Sequence, residues 1–235
     1  MNSTFDTVAG TYEQQLARGL AVTGESPRYF AQGRLQWTAA RLEALGFRAR
    51  RVLDFGCGIG GSVGLIFDVL GAESVLGVDP SAESLAVARS RHGSQRASFV
   101  EPDALTDQDH VDLAFCNGVF HHIASTPPTE RLDALESIRR ALRPGGLFAF
   151  WENNPWNPGT RYVMSRLSFD RDAETITPPA ARRLLREAGF DVISTDFLFV
   201  FPRCLRWLRQ IEPLLASLPL GAQYLVIARR RSTGE

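Results

Sequence analysis

A chain of 235 residues has room for one α/β domain of ordinary size with some decoration, and 44% hydrophobic against 22% charged residues supplies a real core, which excludes wholesale disorder. Lys+Arg and Asp+Glu both number 26, so the formal net charge is zero and no basic field is available to hold a nucleic-acid backbone. Every basic residue is arginine, which removes Schiff-base lysine chemistry and the lysine of a phosphate-binding P-loop.

In chain order, hydrophobic periodicity predicts two helical stretches at the front, 3–20 and 27–45, the second with Leu35, Leu42 and Leu45 on one face. From Arg51 the pattern changes: a short apolar run to Phe55 ends in Gly56, and a helical period resumes from Ser62 to Leu70. Alternation continues with a strand at 74–78, a helix at 82–91, and strands at 97–100 and 111–116. A helix at 130–142 is stopped by Pro144-Gly145-Gly146, and a strand follows at 147–151. A helix at 180–188, a strand at 192–197 and a final strand at 224–228 complete the series. Strands separated by helices predict right-handed crossovers and a doubly wound, mostly parallel seven-stranded α/β sheet. Segments 153–178 and 198–220 do not fit the minimal pattern and are expected to cap the binding face. The expected organisation is thus one domain, 1–235, with a helical front (1–48), a core (49–152) and the two caps.

Cys57, Cys116 and Cys204 lie far apart without CxxC spacing, so neither a metal site nor a disulfide framework is expected, and a reducing cytoplasm is the natural compartment. Residues 1–20 lack the apolar centre of a signal peptide, and no stretch approaches the ~18 apolar residues of a spanning helix. A soluble protein without stable membrane insertion, monomeric or homodimeric, is expected.

The loop Asp54-Phe-Gly56-Cys-Gly58-Ile-Gly60-Gly61 joins the first core strand to its helix, and glycine is needed where backbone must turn tightly beside a ligand. Gly56, Gly58 and Gly61 also satisfy GxGxxG, so a nicotinamide or flavin has to be weighed. Asp79 ends the second strand, where a carboxylate can accept both hydroxyls of a ribose, and Asp103 stands after the third, suited to an exocyclic amine. Either acid can equally be a turn residue. Asp54 separates the nucleotide possibilities, because a carboxylate there repels a pyrophosphate and suits a cation. S-adenosylmethionine is such a ligand.

With this motif, Asp79-Pro80, Asp103-Ala104, Asn117-Gly-Val-Phe-His-His-Ile123 and Leu142-Arg-Pro-Gly-Gly-Leu147, the chain resembles the class I S-adenosylmethionine-dependent methyltransferases over about residues 50–152. The resemblance implies that Gly56, Gly58 and Gly60 pack along the methionyl and ribose parts and that Asp54 holds the amino group. It implies Asp79 on the ribose, Pro80 and Ala104 on the adenine faces, Asp103 on its amine, and Asn117 and Gly118 near the methionyl carboxylate. Tyr12 falls in a segment resembling the part that closes over the cofactor.

A sulfonium methyl is already activated, so transfer needs positioning and desolvation, and a base only if the nucleophile must lose a proton. His121 and His122 are the proton acceptors at the sheet's carboxyl edge, although the resemblance also allows the second of them to pack under the following loop. Glu152, Asn153 and Tyr162, near the acidic run around Asp170 and Asp172, are candidates on the substrate side. Trp151, Trp156 and Tyr162 can serve as cation–π partners or as core aromatics. Residues 197–211, with Arg203, Arg206 and Arg209 spaced by three, read either as an interfacial membrane helix or as a lid roofing a dry pocket. The lid is preferred because the cluster is short and the chain neutral.

Methyl transfer to an oxygen or nitrogen of a small molecule is the expected function, the part from Asn153 onward resembling accessory parts of biosynthetic methyltransferases. Three alternatives stand beside it: cyclisation of S-adenosylmethionine to azetidine-2-carboxylate and methylthioadenosine, a non-catalytic nucleotide-binding module, and a nicotinamide oxidoreductase.

Overall fold

The computed structural model describes residues 19–106, 110–123, 129–166 and 173–232. The expected helix at 3–20, Tyr12, and the Asp170 and Asp172 run lie outside or almost wholly outside the described residues. Seven strands form one sheet: β1 (Arg51–Phe55), β2 (Ser74–Val78), β3 (Ala97–Val100), β4 (Val111–Asn117), β5 (Leu142–Asn153), β6 (Phe190–Leu198) and β7 (Gln223–Arg230). Their order is β3-β2-β1-β4-β5-β7-β6, parallel except that β7 runs antiparallel to both its neighbours. Among the described residues the helices are α1 (Pro27–Ala44), α2 (Val63–Leu70), α3 (Ala82–His92), α4 (Thr129–Ala141), α5 (Pro158–Met164), α6 (Pro178–Glu187) and α7 (Glu212–Leu215), together with 3-10 turns such as Pro102–Ala104 and Arg203–Ile211.

The central strands are buried on both faces, which is why they read as near-continuous apolar runs; β4 is buried from Val111 to Cys116. Trp151, Tyr224, Phe115, Phe148 and Phe150 are among the largest side chains fully withdrawn from solvent. Strand order reverses between β1 and β4, so the crevice beyond their carboxyl ends is where an open α/β sheet binds its ligand.

Two expectations change in detail. Pro144-Gly145-Gly146 does not stop the preceding helix, which has ended at Ala141; β5 already pairs at Leu142 opposite Val111 and resumes at Leu147 opposite Leu113. The proline and glycines therefore form an outward bulge within one long strand, because only the two flanking leucines are placed to pair. Leu45 is 38% exposed and follows α1, while Leu35, Thr38 and Leu42 make the buried stripe.

Helix α1 starts at Ser26, whose hydroxyl accepts the Tyr29 N–H at 3.2 Å, with Pro27 in the first turn. It is pinned to the sheet by polar contacts as well as apolar ones. Arg41 makes a bidentate pair with Asp196 of β6 at 2.7 and 2.6 Å, and the Trp37 indole N–H adds a third bond to that carboxylate at 3.1 Å. The buried Trp151 indole donates to Thr38 Oγ1 at 3.1 Å. Together these fix the rotation of α1 and hence where Arg34 points.

Candidate functional site

At the carboxyl end of β1 the chain enters the glycine loop, with Gly56, Gly58 and Gly60 all at left-handed φ. Two of them do different work. A Cβ on Gly60 would come within 2.7 Å of the His92 ring, so this glycine permits close packing of α3, whereas a Cβ on Gly58 would meet nothing within 4 Å. The open space beside Gly58 is room for a ligand. Asp79, at the end of β2, braces the loop: Oδ2 accepts the Gly58 N–H at 2.8 Å and Oδ1 the Ser81 N–H at 2.9 Å. Carboxylate oxygens accept more than one donor each, so hydroxyls can share these atoms. Pro80, Asp103 and Ala104 are exposed on the same edge, Asp103 within the 3-10 turn after β3.

Asp54 and Asn117, on the adjacent strands β1 and β4, each bury a side-chain oxygen that has no hydrogen-bond partner among the described residues: Asp54 Oδ2 and Asn117 Oδ1. Orphaned buried acceptors are costly unless something donates to them, and a cationic amine is the donor such a pair calls for. Burial and then the neighbouring Asp79 carboxylate push the Asp54 acid up to about 7, with Arg34 pulling the other way. The arrangement fits a ligand carrying an ammonium group, and the open flank at Gly58 fits the rest of a nucleoside.

Beyond Asn117 and Gly118 lies a cavity of about 400 Å³. Its apolar walls come from α1 and from the segment after β6, chiefly Phe30, Phe199, Val200 and Phe201, with Val163 and Met164 of α5 opposite. Its polar residues include Arg34, His121, His122, Asn153 and Gln223. Arg34 donates to Gln223 Oε1 at 3.0 Å, and Gln223 Nε2 donates to Asn153 Oδ1 at 3.1 Å, a chain of bonds along one wall. His121 is 4% exposed, its Nδ1 2.6 Å from Glu152 Oε2, and Glu152 Oε1 accepts the Phe120 N–H at 2.8 Å. A carboxylate so placed accepts from Nδ1–H, which orients the ring as acid–base chemistry requires. The His122 ring lies 4.1 Å from that of His121, centroid to centroid, and also lines the cavity.

The structure thus brings His121 and Glu152 into direct contact and places Asn153 and Tyr162 on the same cavity. Glu152 itself is 1% exposed and does not line the cavity. Tyr162 is 47% exposed, its hydroxyl held by Arg166 at 2.9 Å, at the rim. Trp151 is core and Trp156 is 50% exposed; neither lines the cavity. Arg34 and Gln223 are additions that the motifs did not single out. Arg34 had a signal: it falls four residues from both Phe30 and Thr38, on the buried side of an amphipathic helix, where an arginine needs a reason.

Among the described residues no group of three or more His, Cys, Asp or Glu side chains is placed to hold a metal ion, and no helix is long and apolar enough to cross a membrane. Residues 53–148 match a family model described as a methyltransferase domain. Trans-aconitate 2-methyltransferase of Rhizobium leguminosarum bv. trifolii is 36% identical over 104 residues, 43% of this chain and 38% of that protein. Fatty-acid O-methyltransferase of Mycolicibacterium smegmatis is 29% identical over 150 residues, 61% of this chain and 51% of that one. The matched part of this chain therefore spans about two-fifths to one half of those curated relatives. An S-adenosylmethionine-dependent methyltransferase from Mesorhizobium loti superposes with a TM-score of 0.59 at 24% identity, covering 83% of this chain and 98% of the other, a likeness of fold.

Proposed function

We propose that this chain, whose core belongs to the class I S-adenosylmethionine-dependent methyltransferases, transfers a methyl group to an oxygen or nitrogen of a small acceptor with an apolar body held in the 400 Å³ cavity. The observation that carries this reading is the junction at Asn117 and Gly118. These residues end β4 between the orphaned acceptors of the glycine-loop side and a cavity of small-molecule size, with His121, bonded to Glu152, on its wall.

When bound, S-adenosylmethionine supplies an activated methyl on a sulfonium. Asp54 and Asn117 would take its ammonium, Arg34 its carboxylate, Asp79 the ribose hydroxyls, and Asp103, Pro80 and Ala104 the adenine. His121 Nε2 accepts the proton of a hydroxyl or protonated amine acceptor, and the Glu152 carboxylate stabilises the imidazolium that results. Phe30, Phe199 and Phe201 exclude water from the acceptor. Tyr162, whose hydroxyl accepts from Arg166, and Asn153, whose amide oxygen accepts from Gln223, would position the acceptor from the rim and the wall.

Cyclisation of S-adenosylmethionine would need no acceptor cavity, so the volume beside Asn117 favours transfer over that alternative. The test is mass spectrometry of the adenosyl product after incubation with S-adenosylmethionine and a fractionated extract. S-adenosylhomocysteine with a methylated partner supports the proposal; methylthioadenosine made without any extract refutes it.

A further inference from the structure

Between β6 and β7 the chain leaves the sheet, turns through the 3-10 segment Arg203–Ile211 and α7, and returns at Gln223. The 3-10 segment is kinked at Leu205, whose backbone leaves the helical region, so Arg203 and Cys204 precede the break and Arg206 to Ile211 follow it. Two arginines, one on each side of the kink, hold the segment onto the body. Arg209 pairs with Glu25 at 2.9 Å, bonds the Phe201 carbonyl and lies over the Tyr29 ring, while Arg203 reaches the Gly24 carbonyl at 3.3 Å. Between and beyond these anchors much of the segment faces outward. Trp207 is 69% and Leu214 80% exposed, and Leu205, Ile211, Leu218 and Leu220 stand open beside them.

Large apolar side chains exposed together along one segment mark an interaction surface. Charge identifies the partner. Arg203 and Arg206 are exposed on the same segment, Arg209 is matched by Glu25, and Glu212, whose Oε1 accepts the Phe201 N–H at 2.9 Å, offsets only one of the two remaining positive charges. The face is therefore apolar and cationic together, with an indole among the aliphatics, the composition that lies in the headgroup layer of a bilayer. A second copy docking by the same face would set the exposed arginines of the two copies against each other. Phe201, Pro202 and Arg209 belong both to this segment or its approach and to the cavity wall, so the face lies beside the cavity.

We propose that the Arg203–Leu220 face docks this protein on an anionic lipid surface. Combined with the methyl-transfer reading, on which this corollary rests, docking would set the cavity beside the bilayer, suiting an amphiphilic acceptor drawn from the lipid.

The full chain is mixed with vesicles of neutral phosphatidylcholine, or of phosphatidylcholine with phosphatidylglycerol, and separated by flotation at low and high salt. It should float with the anionic vesicles and be released by salt. Trp207→Ser with Leu214→Ser should weaken that binding about tenfold or more, and Arg203→Ala with Arg206→Ala should abolish the preference for anionic lipid. A blue shift of tryptophan emission on anionic vesicles should disappear in Trp207→Phe. Both exposed double variants should bind S-adenosylmethionine in calorimetry as the parent does, which separates loss of docking from loss of fold and from failure of the methyl-transfer reading. The proposal is overturned if the full chain stays unbound on both vesicle types. It is equally overturned if the Trp207 and Leu214 variant floats as well as the parent, or if the parent forms a dimer that this variant dissolves.

Discussion

Asp54 gives the most quantitative prediction. Its acid titrates at about 7 in the ligand-free protein because burial and the Asp79 charge oppose ionisation more than Arg34 favours it. A cationic amine needs the ionised form, so affinity for S-adenosylmethionine should follow the ionised fraction of Asp54. That fraction rises from about 0.03 at pH 5.5 to about 0.76 at pH 7.5, roughly 25-fold or about 1.9 kcal/mol, while the ligand's α-amine, with an ordinary pKa of about 7.7–8.0, loses only about a third of its protonated form over the same range. Calorimetry at steps across this range should show the dissociation constant falling as pH rises. Titration at pH 6 in buffers of different ionisation enthalpy should show close to one proton released per ligand bound. Asp54→Asn should flatten the curve and abolish the release. A dissociation constant constant from pH 5.5 to 7.5, with no proton released, would refute the assignment of Asp54 to the amine.

The same group makes a stability prediction of opposite slope. Its folded pKa lies above the unfolded value, so between roughly pH 4 and 7 the folded state holds a proton that the unfolded state has lost, and stability falls as pH rises. The span corresponds to a penalty on the order of 4 kcal/mol at pH 8. Asp54→Asn should accordingly raise the denaturation midpoint of the ligand-free protein at pH 8 and change it little at pH 4.

Arg34→Ala should weaken S-adenosylmethionine by roughly 10- to 100-fold, the loss of a charge-assisted contact of about 1.5–3 kcal/mol. It should leave decarboxylated S-adenosylmethionine bound within about threefold; equal losses for both ligands in calorimetry would remove Arg34 from the carboxylate. His121→Ala should cost about 10²–10⁴ in turnover with the cofactor affinity unchanged, and Glu152→Gln should shift the pH–rate profile because the imidazolium loses its counter-charge. Full activity in His121→Ala would mean an acceptor that arrives already ionised. Asp112 accepts from the Arg50 and Arg51 N–H groups and from Arg143; burial pushes its acid up, but these bonds outweigh it and hold it below the usual range. Its contribution is present above about pH 4 and is lost as pH falls through the depressed value, so Asp112→Asn should cost about 1–3 kcal/mol at pH 7 in urea denaturation and little near pH 2.

The parts of the site that stood in the sequence are those whose chemistry is local. Asp54 stands two residues before the first of three left-handed glycines, and Asp79 ends a strand whose register beside β1 puts it at the same edge. Strand, turn and helix in succession leave these residues few places to go, so reading them needed only periodicity and turn chemistry. The long β5 was less legible because Pro144-Gly145-Gly146 reads as a stop whether it ends a helix or bulges a strand, and only pairing with Val111 and Leu113 decides. Arg34 depends on contacts far away in sequence: Arg41 with Asp196, and Thr38 with Trp151, turn α1 so that Arg34 meets Gln223. The segment after β6 carried both of its readings at once. Its leading residues, Phe199 to Pro202, wall the cavity as a lid would, while Trp207 and Leu214 face outward as an interfacial element would. The sequence could not divide these roles, because the division is made by Arg203 and Arg209 anchoring to Gly24 and Glu25, residues nearly 180 positions earlier. A cofactor cradle built from contiguous loops can therefore be read from one stretch of chain. An acceptor cavity assembled from α1, α5 and the β6–β7 crossover has no stretch of its own, and its chemistry becomes visible only when those elements meet.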